Sequence, residues 1–138
     1  MRYYIDTNVL IFYLSKKRDD LSSKVVDILN DCVNTIYVSS VAVQELILLY
    51  RIGKMEHLHF KSEADILARI KDLDVEIVFF NEYHLAKYAK LEIVPGHKDM
   101  NDHAIIAQAM SDKIALISSD KEFVNYTVQG LNFVFNKR

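Results

Sequence analysis

The chain has 138 residues, 51% of them apolar and 26% charged, which suits one globular domain with its own core and excludes a fibrous or disordered segment. Seventeen basic against nineteen acidic residues leave a net charge of −2, which excludes a strongly basic nucleic-acid coat but not an enzyme that gathers acids around a metal ion. The N-terminal apolar run breaks at Asp6 and no stretch approaches about 18 apolar residues, so a cytoplasmic protein without a membrane partner is expected.

In chain order, "RYYI" predicts a strand and "NVLIFYLS" a short helix. "DLSSKVVDILNDCV" carries a helical stripe of Val25, Val26, Ile28, Leu29 and Cys32, which makes the single cysteine a small core residue with no disulfide partner. "TIYVS" predicts a second strand. Ser39 or Ser40 can cap the helix "VAVQELILLYRI", and Gly53 can close it. "SEADILARIKDL" predicts another amphipathic helix and "VEIVFF" a strand. The helix "EYHLAKYAKLEI" follows, with Tyr83, His84 and Tyr88 reading as its surface. "VPGHKD" is the Pro-Gly loop before the helix "NDHAIIAQAM". The strand "IALIS", a short "DKEFVNY" segment and the strand "LNFVF" complete the chain. Strands alternating with helices predict a parallel sheet covered on both faces, a single three-layer α/β domain over residues 1–138.

Four acids stand in unexpected company. Asp6 interrupts two apolar runs just past the first strand, where it could cap a helix or hold something positive. Glu45 has Val41, Ala42, Leu48 and Leu49 as its neighbours three and four residues away, so it projects from a core-facing stripe; alternatively it lies at that stripe's boundary beside a lysine. Asp102 opens a helix on the face of Ile105, Ile106 and Ala109, with Asp99 as the natural N-cap before it. Asp120 follows the strand "IALIS", where turn chemistry is its other explanation. In α/β folds, ligands gather beyond the carboxyl ends of the strands. If the strands bearing Asp6 and Asp120 are neighbours, all four acids crowd one edge and repel one another unless a cation intervenes. An all-oxygen cluster suits Mg²⁺ or Mn²⁺ better than zinc, and serves to bind phosphate oxygens and activate water.

"YYIDTNVLI", "SSVAVQELILL", "HKDMNDHAIIAQA" and "ALISSDKEF", in this order, resemble the PIN-domain ribonucleases, above all the VapC-type toxins of toxin–antitoxin pairs. The resemblance runs from residue 3 to about Phe123. It implies a parallel sheet of about five strands, with Asp6, Glu45, Asp102 and Asp120 coordinating one or two Mg²⁺ or Mn²⁺ ions and hydrolysing RNA to 5′-phosphate and 3′-hydroxyl ends. It also implies Thr7, Asn8, Asp99 and Ser119 as supporting residues, an antitoxin partner and a homodimer. Met100 and Asn101 stand where relatives often carry Pro and Phe, and His103 replaces a common arginine. RNA backbone contacts are expected from Lys16, Lys17, Arg18, Arg51 and Lys54. His57 and His59 read as surface histidines. Two rivals are an aspartate-based phosphotransferase, which the Asn at position 8 and the short chain disfavour, and a PIN module that binds without cleaving.

Overall fold

A computed structural model describes every residue except Lys17 and the side chain of Arg18; both belong to the basic run expected to meet RNA, and that expectation lies outside the described residues for these two. Five parallel strands form one sheet: β1 (Arg2–Ile5), β2 (Thr35–Ser39), β3 (Val75–Val78), β4 (Ala115–Ser118) and β5 (Phe133–Phe135), in the order β3-β2-β1-β4-β5. Among the described residues six α-helices accompany them: α1 (Thr7–Leu14), α2 (Ser23–Asn30), α3 (Ser40–Arg51), α4 (Glu63–Asp72), α5 (Glu82–Lys90) and α6 (Met100–Asp112). Turns of 3₁₀ helix cover Arg18–Asp20, Glu56–Leu58 and Lys121–Gln129. This is the expected three-layer α/β/α architecture.

The central strands are apolar because a parallel sheet is covered on both faces. Tyr3, Tyr4 and Ile5 of β1 are buried, as is every residue of β4. Helix α1 is apolar nearly all round, with Val9, Leu10, Ile11, Tyr13 and Leu14 buried, as a helix in the interior must be. The core continues through Leu46 of α3, Ile66 and Ile70 of α4, and Ile105 and Ile106 of α6. Among the described residues no helix is long and apolar enough to cross a membrane.

The strand order decides where a site can form. The chain steps from β1 outward to β3, then returns across the sheet to β4 on the other side of β1. The connections therefore diverge between β1 and β4, and in open parallel sheets the carboxyl ends at such a point are where ligands bind. Ile5 pairs with Ile117, and the Asp6 amide donates to the Ile117 carbonyl at 3.1 Å, so the two chain segments leave the sheet side by side.

Several local expectations hold. Ser39 caps α3, its hydroxyl accepting from the Val41 amide, and Gly53 follows the helix with φ of 78°. Asp99 caps α6, and His57 and His59 are exposed. Two expectations fail. Cys32 is exposed beyond the end of α2, because the helix stops at Asn30 and the stripe does not reach it. His84 is buried, not part of a surface: its Nδ1 accepts from the Asn81 amide in a capping box, and its Nε2 donates to Asp112 at 2.9 Å. Asp112 also accepts from the buried Tyr4 hydroxyl, whose oxygen in turn receives Gln108 Nε2. Burial, the first cause, and the bond to Asp112 push the Tyr4 phenol well up from its ordinary range. This network ties α5 and α6 to β1, and no alternation of apolar residues could announce it.

Candidate active site

Asp6, Asp102 and Asp120 come together from three different elements, and Glu45 meets the start of α6 through Asn101. Asp6 terminates β1 and caps α1, its Oδ1 accepting from the Val9 amide at 2.9 Å. Both readings of Asp6 are therefore compatible: the cap uses one oxygen, while Oδ2 accepts from the Ser118 hydroxyl at the end of β4. Ser118 Oγ also accepts from the Asp120 amide at 3.0 Å, so one buried hydroxyl joins the segments carrying two of the acids. Asp120 caps the following 3₁₀ helix through the Glu122 amide and remains half-buried.

Asp102 stands in the first turn of α6, where Asp99 Oδ1 accepts from its amide at 3.3 Å. Its Oδ2 lies 3.1 Å from His97 Nε2. Glu45 is half-buried on α3 and accepts from Asn101 Nδ2 at 2.8 Å. The stripe-boundary reading of Glu45 is right about burial, but its partner is a neutral amide and not a lysine. Asn101 thus supplies Glu45 with a donor that an apolar side chain at this position would lack.

The electrostatics are those of crowded carboxylates. Asp6, only 3% exposed, is pushed up to about 7; burial is the chief cause, the bonds from Ser118 and Val9 oppose it, and Asp102 and Asp120 reinforce it. Asp102 is raised to about 6, chiefly by burial, against the His97 bond and with added repulsion from Asp99 and Asp120. Among the described residues no lysine or arginine pairs with Asp6, Glu45, Asp102 or Asp120. One ligand atom each from His97, Asp102 and Asp120 lie within 4.8 Å of one another. Asp6 buried and Asp102 half-buried, both with raised proton affinity and neither paired to a lysine or arginine among the described residues, together with the nearby Asp120 carboxylate, fit a divalent cation.

Among the supporting candidates, Thr7 is buried and Asn8 exposed at the start of α1, and Asp99 serves as a cap. Ser119 bonds to the C-terminal segment instead: its Oγ accepts from Asn136 Nδ2 at 2.7 Å. Its neighbour Ser118 has the role expected of it. Successive residues of a strand point to opposite faces, so a one-residue shift decides which serine meets Asp6. His97, Asn101, Ser118 and Tyr126 escaped the sequence reading, and only the polar "HKDMND" run hinted at any of them. A groove along β3 and α4, lined by Leu67, Ile70, Lys71 and residues 75–79, includes none of Asp6, Glu45, Asp102 and Asp120.

Fold and site together define an α/β protein with a carboxylate centre at the switch point of a parallel sheet. The chain belongs to the PIN domain family, whose model matches residues 3–128. No curated protein is significantly similar to it in sequence. Among solved structures it resembles a chain of VapBC2 from Rickettsia felis, bound to a DNA fragment from its promoter, at 18% identity and a TM-score of 0.68 over 99% of this chain and 100% of that one. FitAcB from Neisseria gonorrhoeae is similar at 26% identity and a TM-score of 0.63 over 97% and 96%. VapBC-5 from Mycobacterium tuberculosis, a member of the VapBC family of toxin–antitoxin systems, matches at 17% identity and a TM-score of 0.63 over 99% and 98%.

Proposed function

We propose that this chain is a Mg²⁺- or Mn²⁺-dependent endoribonuclease, the toxin of a toxin–antitoxin pair. The observation that carries the reading is the uncompensated cluster: Asp6 and Asp102 raised by burial and by their acidic neighbours, with no lysine or arginine paired to them among the described residues. Such a cluster, where ionised, repels a phosphodiester, and a bound divalent cation would remove that repulsion.

Asp6, Asp102 and Asp120 would hold the ion, with Glu45 orienting a water or a second ion. The ion supplies charge neutralisation at the phosphate and lowers the pKa of water. The chain's own contribution is orientation. Ser118 and Val9 fix both oxygens of Asp6, Asn101 fixes Glu45, and Asp99 fixes the start of the helix bearing Asp102. Groups held this way need not reorganise as charge develops on the phosphate. Lys16, Arg51 and Lys54 are exposed and are among the described cations that could meet the RNA backbone. The same reading gives the protein an antitoxin partner, with the exposed Leu48, Ile52 and Leu67 as apolar landing points, and a homodimeric state.

RNA cleavage by wild type and Asp6→Asn, with Mg²⁺, Mn²⁺ or EDTA, tests the proposal. Metal-dependent cleavage that drops on the order of 10²–10³-fold in the variant is expected. Equal cleavage by both proteins, or full activity in EDTA, would overturn it.

A further inference from the structure

His97 is the least explained residue near the acids. The turn Val94–His97 carries Pro95 and Gly96 at its centre, closes with His97 N–H donating to the Val94 carbonyl at 3.0 Å, and sends the imidazole into the protein, where it is 4% exposed. The ring rests edge-on against His103 at 4.7 Å between centroids and packs on Phe123 and Tyr126. His103 Nε2 donates to the His97 carbonyl at 2.9 Å. Both ring nitrogens of His97 are engaged: Nδ1 lies 2.8 Å from the Tyr126 hydroxyl, and Nε2 lies 3.1 Å from Asp102 Oδ2.

By distance alone His97 could be a metal ligand, since Nε2 shares a 4.8 Å neighbourhood with oxygens of Asp102 and Asp120. Hydrogen-bond accounting assigns it differently. The Tyr126 oxygen is fully buried and receives the Val94 amide at 3.2 Å, and its own proton needs an acceptor. The acceptor within reach is His97 Nδ1. A proton on Nδ1 would leave the buried tyrosine proton with nowhere to go, at a cost. Nδ1 therefore carries the lone pair and Nε2 the proton, and that N–H points at Asp102.

We propose that His97 is a positioning residue and not a ligand: Val94 and Tyr126 fix its tautomer, and its Nε2–H holds Asp102 Oδ2, which would leave the other carboxylate oxygen for a cation. The proposal rests on the nuclease reading. The relay also has a mechanical consequence. Tyr126 lies in the 3₁₀ segment capped by Asp120, so the chain of bonds joins the segment behind one acid to the helix bearing another. Outer partners that orient a ligating carboxylate typically matter 10–100-fold for metal affinity.

Two measurements test this. Long-range ¹H–¹⁵N spectra of histidine-labelled protein should give His97 a bare Nδ1 and a protonated Nε2, without metal and after Mg²⁺ addition. Calorimetric Mn²⁺ titration should find His97→Leu weakened about 10–100-fold, with His97→Gln, whose amide can still donate to Asp102, recovering most of the loss. Tyr126→Phe should blur the tautomer while leaving the aromatic packing in place. A proton on Nδ1 in the free protein, or one that moves there when Mg²⁺ binds, would overturn the proposal, as would wild-type Mn²⁺ affinity in a folded His97→Leu. Absence of Mn²⁺ binding by the wild type would instead sink the nuclease reading, so the two failures are distinguishable.

Discussion

At Asp6 one side chain does two jobs that local sequence cannot separate. Its Oδ1 caps α1 while Oδ2 meets Ser118, and the burial both jobs require raises its proton affinity. The sign for stability follows from that elevation. An aspartate at about 7 in the fold and in the ordinary range when unfolded favours the folded state while protonated, so its contribution is full below the unfolded value and lost as pH rises toward 7. Metal-free wild type should therefore lose stability between about pH 4 and 7 more steeply than Asp6→Asn, which keeps the cap acceptor without the charge; urea melts across that range would detect the difference, and parallel slopes would contradict it. Asn101 makes a second case. Asn101→Ala leaves the helix intact and unties Glu45, so cleavage should fall roughly 10–100-fold with an unchanged circular dichroism spectrum.

Among the elements, the loop before α6 is the most demanding. Gly96 has φ of 90°, a backbone region that a side chain resists, and a Cβ there would meet nothing within 4 Å. Gly96→Ala should thus cost only backbone strain, roughly 1–2 kcal/mol in a denaturant melt, and loosen the turn that points His97 inward. A larger loss would mean that the turn holds more of the fold than its hydrogen bonds suggest. The strands were legible because buried parallel strands are apolar runs, and the helices because caps such as Ser39 and Asp99 precede their stripes. Their ends were less so: β3 stops at Val78, although Phe79 and Phe80 continue the apolar run. Phe79 is 74% exposed, and the Phe80 amide turns to the Ser40 hydroxyl, a partner distant in sequence.

For the molecule as a whole, the crowding of Asp6, Asp102 and Asp120 is a cost that the proposed cation would relieve. Mn²⁺ binding to the folded state alone should stabilise it by about 2.7 kcal/mol at a hundredfold excess over Kd. That gain should shrink below about pH 5, where Asp6 and Asp102 are mostly protonated and a cation must compete with protons. Thermal melts with and without Mn²⁺ at pH 7.5 and pH 5 check this, and an equal shift at both values would speak against these acids as the site. Residue spacing alone was enough to predict an alternating α/β chain, a parallel sheet, Asp6 and Asp120 just past strands, and Glu45 and Asp102 on helices at core-facing positions, because each is a local pattern of period, cap and turn. Only the tertiary structure could choose Ser118 over Ser119, give Glu45 an amide partner and seat His97 between Tyr126 and Asp102. Asp6 and Ser118 are separated by 112 residues, and their bond exists because β4 lies beside β1, an adjacency written in the sheet and in no stretch of sequence.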